Sequence, residues 1–172
     1  MRDAVDDILD QWRRHRPDLD YAPVEAVLRI QRAARHLDRA IESGLHDLGL
    51  TPGGFAVLSA LRRAGPPHEL RPADLLSDTL STSGAMTNRL DRLEDAGLVR
   101  RVSDPSDRRG VLVRLTTEGR ALTDQAVAAH VANEARLLAG LAPGERDELA
   151  RLLRRLLTAF EPSPGPDASA DR

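Results

Sequence analysis

A chain of 172 residues is long enough for one ordinary domain with helical extensions. With only 2% aromatic residues its core must be mostly Leu, Val and Ala, which favours helices, and a net charge of −2 excludes a bulk polycation, so any positive field for a nucleic acid has to be local. Cysteine is absent, which excludes disulfides, zinc thiolates and thiol-based sensing, and no apolar run approaches the roughly 20 residues of a membrane span.

In chain order, Val5, Ile8, Leu9 and Trp12 fall on one face of a short N-terminal helix. The polar stretch 13–20, with Pro17, reads as a linker, so residues 1–22 form an extra helix and its linker. Pro23 opens a long helix to about Leu48. Its apolar or small positions 27, 30, 34, 37, 41, 44 and 48 make a narrow seam suited to another helix, including one from a second subunit. Gly49 ends it. Thr51-Pro52 starts the next helix, with Phe55, Leu58 and Leu61 inward, and Gly65-Pro66-Pro67 stops it. Pro72 opens a short helix through Thr79 that buries Leu75 and Leu76. Ser83 is the expected N-cap of a further helix ending near Gly97. At about 100° per residue, Met86, Leu90 and Leu93 share its core face.

Two short apolar runs, Leu98–Val102 and Val111–Leu115, then flank the charged tip Asp104-Pro105-Ser106-Asp107-Arg108-Arg109-Gly110 and read as a hairpin. Thr116 caps a helix to about Ala139, and a turn at Leu141–Glu145 leads into a last helix. That helix carries the apolar stripe Leu149, Leu152, Leu153, Leu156, Leu157 and Phe160. Residues 161–172 contain no core former and are expected to be disordered. The acidic N-terminus does not resemble a signal peptide, so a soluble cytoplasmic location is expected.

Helix, turn, helix and then an arginine-tipped hairpin is the outline of a winged helix-turn-helix, in which one helix enters the major groove of double-stranded DNA and the hairpin reaches the backbone or minor groove. The fold class is therefore mainly α with a small β-hairpin wing. Residues 51–116 are expected to form the DNA-binding lobe; that helices in 23–50 and 117–160 form a homodimerisation bundle is implied by the family resemblance given below. The segment 81–114 holds seven arginines against five acids, a local positive excess in a chain whose basic side chains are all Arg. Ser81 and Thr82 suit phosphate contacts at a helix start. Ser83, Ala85, Thr87 and Asn88 lie on the early turns that reach base edges, with Arg92 on the same outward side. Asn pairs bidentately with adenine, and Ala or a Thr methyl meets a thymine methyl. At the tip, one of Arg108 and Arg109 is expected to enter the minor groove while the other pairs with Asp107.

The motif Asp107-x-Arg109, five residues, then Leu115-Thr116 and Gly119 resembles the wing signature of the MarR family of transcriptional regulators. Leu90-x-x-Leu93-Glu94-x-x-Gly97-Leu98-Val99 is similar to the end of that family's recognition helix. The resemblance spans residues 24–160 and implies a homodimer that binds a pseudo-palindromic operator and answers to a small aromatic anion. The N-terminal helix with Trp12, the run Ala64–Pro67 and Ser83–Arg89 further resemble the family's urate-responsive branch. That likeness implies a ligand site of Trp12, Arg63 and Arg89, with the branch's acidic position falling on Ala56. Two guanidiniums and an indole would hold a planar anion by charge-assisted hydrogen bonds and stacking. The other reading of Trp12 is a packing anchor for its own helix. The histidines at 15, 36, 46, 68 and 130 show no nucleophile or metal-ligand spacing. No catalytic residue, metal or cofactor is therefore assigned, and a metal-sensing or ligand-independent winged-helix regulator stands as the alternative.

Overall fold

The computed structural model describes residues 2–79, 82–107 and 109–160. Ser81, Arg108 and the expected disordered tail at 161–172 lie outside the described residues. The chain forms two compact units, one extending to Asn133 and the other beginning at Glu134.

The first unit opens with helix α1 (Ala4–His15) and the long α2 (Ala22–His46). Asp3 caps α1 by accepting the Val5 N–H at 2.7 Å, and Asp6 reciprocates by accepting the Asp3 N–H at 2.7 Å. Val5, Leu9, Tyr21 and Leu28 make a small apolar cluster that joins α1 to α2. Arg29 adds a polar clasp to Asp3 at 2.8 Å, Asp6 at 2.7 Å and Glu25 at 2.7 Å.

The lobe continues through α3 (Pro52–Arg63), β1 (Glu69–Leu70), α4 (Pro72–Thr79), α5 (Ser83–Asp95), β2 (Val99–Ser103) and β3 (Val111–Leu115) to α6 (Thr117–Leu137). Its core is aliphatic, as the composition requires: Val57, Leu58, Leu61 and Leu75 are fully buried, with Met86, Leu90, Leu93 and Val113 packed against them. Burying one such side chain stabilises by roughly 1.5–3 kcal/mol, so this cluster sets the lobe's shape. Phe55 and Leu76, expected inward, are half-buried at its edge.

The hairpin is as expected in outline, but the sheet has three strands in the order β1-β3-β2, all antiparallel. The unforeseen β1 pairs Glu69 with Arg114 and Leu70 with Val113. Two residues carry no period-2 signal, which is why the sequence concealed it. Val111 alternates in the chain with the buried Val113 and Leu115, yet it is 42% exposed because its end of the hairpin projects beyond the core.

Two features of the junction after α5 explain the family-like motif residues. Gly97 takes φ +70°, the left-handed conformation that closes the helix while the Leu98 N–H bonds the Leu93 carbonyl at 2.9 Å. The Thr116 hydroxyl then donates to the Gly97 carbonyl at 2.7 Å and accepts the Gly119 N–H at 2.9 Å, so one side chain joins the end of α5, the end of β3 and the start of α6. Gly119 is required because a Cβ there would collide with the Leu98 carbonyl.

The second unit contains α7 (Pro143–Leu157), whose first turn is closed by the Glu145 carboxylate accepting the Ala142 N–H at 2.7 Å. No residue of α7 is buried in the single chain, and its stripe of Leu149, Leu152, Leu153, Leu156 and Leu157 is exposed.

Candidate functional site

Helix α5, the expected recognition helix, is pinned on one side and open on the other. Met86, Leu90 and Leu93 are buried, whereas Thr82, Ser83, Ala85, Thr87, Asn88 and Arg92 are exposed. The sequence placed the cap at Ser83; the helix instead begins there, and Thr82 holds the N-cap position with φ −80° and ψ 154°. Its side chain makes no capping hydrogen bond, so the hydroxyl is not committed to the helix. The Thr87 hydroxyl donates to the Ser83 carbonyl at 3.2 Å, which uses its polar atom within the helix and leaves the methyl as its contact group.

Charge around α5 is more selective than the sequence count suggested. Arg101 of β2 bonds Asp91 at 2.6 Å and also pairs with Glu94, while the Glu94 carboxylate accepts the Arg101 N–H at 2.9 Å. These contacts hold the Glu94 carboxyl below its ordinary value, chiefly through the backbone bond, and raise Arg101, chiefly through Asp91. Arg114 is paired with Glu69. Both arginines therefore brace the lobe, and among the described residues Arg92, Arg100 and Arg109 are further exposed cations of this region.

At the wing tip Arg109 is exposed, and its backbone N–H donates to the Asp107 carboxylate at 3.0 Å. Asp107 thus shapes the turn through the backbone of Arg109. Arg108 and Ser81 lie outside the described residues.

The three candidate ligand residues occupy three places. Arg63 lines a cavity of about 790 Å³ between α2, α3 and α6. Its walls are Ile41, Leu45, Phe55, Ala56 and Val127, with Arg62, Ser59, Asp124 and His130 as polar members. Phe55 and His130 meet there with ring centroids 5.0 Å apart. Arg62 bonds Asp124 at 2.7 Å, and that bond draws the Asp124 carboxyl below its ordinary value. The Ser59 hydroxyl is buried and has no hydrogen-bond partner. Arg89 lines a different cavity, of about 470 Å³, together with Asn88, Arg92, Gly53 and Gly54. Its guanidinium lies over the start of α3, where a Cβ on Gly53 would stand 2.5 Å from Arg89 Nε. Trp12, at the end of α1, is 53% exposed and lines neither cavity.

Sequence reasoning missed Arg62, Ser59, Asp124 and His130. Phe55, Ser59, Arg62 and Arg63 do recur at helical spacing on α3, but their partners on α6 are some sixty residues away in the chain. Among the described residues no group of three or more His, Asp or Glu is arranged to hold a metal ion, and no helix is long and apolar enough to cross a membrane.

The sequence profile of the MarR family matches residues 48–110, the span from the end of α2 to the wing tip. The HTH-type transcriptional regulator PecS of Dickeya dadantii (strain 3937) is 38% identical over 152 residues, covering 88% of this chain and 92% of that protein. The chain belongs to the MarR family. An HTH-type transcriptional repressor of Mycobacterium tuberculosis (strain ATCC 25618 / H37Rv) is 35% identical over 137 residues, 80% of this chain and 95% of that protein. A mutant MarR from E. coli complexed with operator DNA aligns with a TM-score of 0.69 and 32% identity, over 80% of this chain and 97% of that one. This MarR-family chain is thus a DNA-binding transcriptional regulator and not an enzyme.

Proposed function

We infer that the protein is a homodimeric repressor, released from a pseudo-palindromic operator by a small aromatic or anionic ligand. The observation that carries the reading is the cavity of about 790 Å³ between α2, α3 and α6. It is walled by a helix of the DNA-binding lobe and by two helices outside it, so an occupant acts on their packing. A ligand that favours a disposition of the lobes unsuited to the operator weakens DNA binding by the same factor by which DNA weakens the ligand.

Operator contact in this reading comes from Thr82, Ser83, Ala85, Thr87 and Asn88 on the helix, Arg92 beside them, and Arg109 held by the Asp107 turn. Self-association is supported by Val24, Val27, Ile30 and Leu37 on α2 and by the leucine stripe of α7, all exposed in the single chain. Paired lobes would present two recognition helices about 34 Å apart, one helical turn of DNA.

The chemistry of the cavity favours an aromatic carboxylate over urate. Its apolar walls suit a ring, and Arg62 and Arg63 suit a carboxylate. Ala56, at the position that is acidic in the urate-responsive branch, offers a methyl in place of a hydrogen-bond acceptor. Of the three residues that the resemblance implied, Arg63 is the one a ligand in this cavity meets within a single chain.

Electrophoretic shift titration with a hydroxybenzoate and with urate tests the reading. The hydroxybenzoate is expected to displace the operator from the parent protein, and Arg63→Ala is expected to lose that response while keeping its ligand-free operator affinity. Displacement that is unaltered in Arg63→Ala overturns the ligand assignment.

A further inference from the structure

The loop that carries Arg109 is closed into a hydrogen-bonded ring. The Gly110 carbonyl accepts the Asp104 N–H at 3.0 Å, the Asp104 carbonyl accepts the Asp107 N–H at 3.3 Å, and the Asp107 carbonyl accepts the Gly110 N–H at 2.8 Å. A Cβ at Gly110 would stand 2.9 Å from Asp104 Cβ and 3.0 Å from Asp107 Cβ, so the ring closes without slack. The ring lies past the core, next to the exposed Val111, and apolar burial does not hold it.

A buried carboxylate holds it instead. The Asp104 side chain is 4% exposed inside an otherwise exposed turn. One oxygen accepts the Ser106 N–H at 2.8 Å and the Ser106 hydroxyl at 2.6 Å. The other accepts Arg71 Nε at 3.0 Å, and Arg71 Nη2 donates onward to Ser106 Oγ at 3.1 Å. Arg71 belongs to another part of the lobe: it follows β1 and immediately precedes α4, the first helix of the helix-turn-helix. A buried carboxylate needs both a counter-charge and donors, and this one draws its charge partner from 33 residues upstream. Ser106 and Arg71 together bring the Asp104 carboxyl down to about 2, the Ser106 hydroxyl contributing most.

We propose that Arg71 and Asp104 are the positioning residues of the wing, fixing the ring of Asp104, Asp107 and Gly110 to the start of α4 and so setting where Arg109 meets the operator. A hairpin end without such a tie samples many positions, and ordering it on DNA costs free energy that the tie has already met. The proposal rests on the reading of Arg109 as a DNA contact. It adds that the contact depends on a residue that need not touch DNA.

A double-mutant cycle on the full chain tests it. Operator affinity is measured over a salt series for the parent, Arg109→Ala, Arg71→Ala and the double variant, with hydroxyl-radical footprints and thermal melts. Arg109→Ala is expected to reduce the salt slope by about 1. Arg71→Ala is expected to reduce it by the same amount and to lose protection at the operator flank alone. Arg71→Lys, which keeps the charge beside Asp104, should restore part of the loss. The double variant should be no weaker than Arg109→Ala. An unchanged Arg109→Ala titration removes the reading of the wing itself. A normal effect of Arg109→Ala with none from Arg71→Ala, or with additive losses, overturns the positioning role, additivity marking Arg71 as a direct phosphate contact. Loss of protection across the whole site together with a lowered melting temperature also overturns it. Should Arg71→Ala not fold, Ser106→Ala removes one strand of the same tie and is expected to give a smaller loss, again non-additive with Arg109→Ala.

Discussion

The recognition helix and the wing are two probes on one lobe, held by different forces. Helix α5 is fixed by burial: Met86, Leu90 and Leu93 enter an aliphatic core, and Arg101 braces its outer edge through Asp91 and Glu94. The wing tip is fixed by a ring of backbone hydrogen bonds about a charged, buried Asp104. Apolar burial is non-directional and indifferent to pH, whereas a charge-assisted cluster is directional and depends on protonation. In the proposed reading, the helix assigned to base edges therefore has a support indifferent to pH, and the wing has one that depends on protonation.

The largest expected effect strikes the first of these supports. Leu90→Ala should destabilise the protein by about 2–5 kcal/mol, because a fully packed side chain leaves a cavity that the core only partly refills. Urea titration followed by circular dichroism measures it, and a loss below 1 kcal/mol would mean that α5 is not held by burial. Asn88→Ala comes next and leaves the fold alone. It should cost about 1–3 kcal/mol of binding to the specific operator while binding to random duplex stays constant. Equal weakening on both duplexes would place Asn88 on the phosphates and erase the division of labour between helix and wing.

The smallest effect concerns acid stability. The Asp104 carboxyl is held near 2 in the folded chain, below its ordinary value near 3.8. Between these values the unfolded chain binds more protons, so the contribution of this group to stability is complete above about pH 4 and fades as pH falls toward 2. Asp104→Asn should remove that component, giving a shallower loss of stability across the same interval in acid titrations. An acid limb identical to the parent's would show that the cluster does not distinguish the wing from the helix.

Most of the helical outline was legible because apolar residues recur at helical spacing wherever one face meets the core, as Met86, Leu90 and Leu93 do. The hairpin was legible from two short apolar runs about a charged tip, and Leu115-Thr116 with Gly119 pointed to the junction that Thr116 makes. Strand β1 was not, since two residues hold no period. Nor was the tie from Arg71 to Asp104 or the clasp from Arg29 to Asp3, because ion pairs formed across 33 or 26 residues leave no local pattern. The ligand candidates show the same limit. The resemblance implied Arg63 and Arg89 together, but which neighbour each side chain meets is decided by packing, and packing sends them to separate cavities.

The junction built on Thr116 bears on how such a regulator lets go of DNA. One hydroxyl bridges the end of α5 and the first turn of α6 where β3 runs out, so helix and hairpin share an anchor at their root. On the proposed ligand-driven release, a tilt of α6 would pass through this anchor to helix and hairpin together.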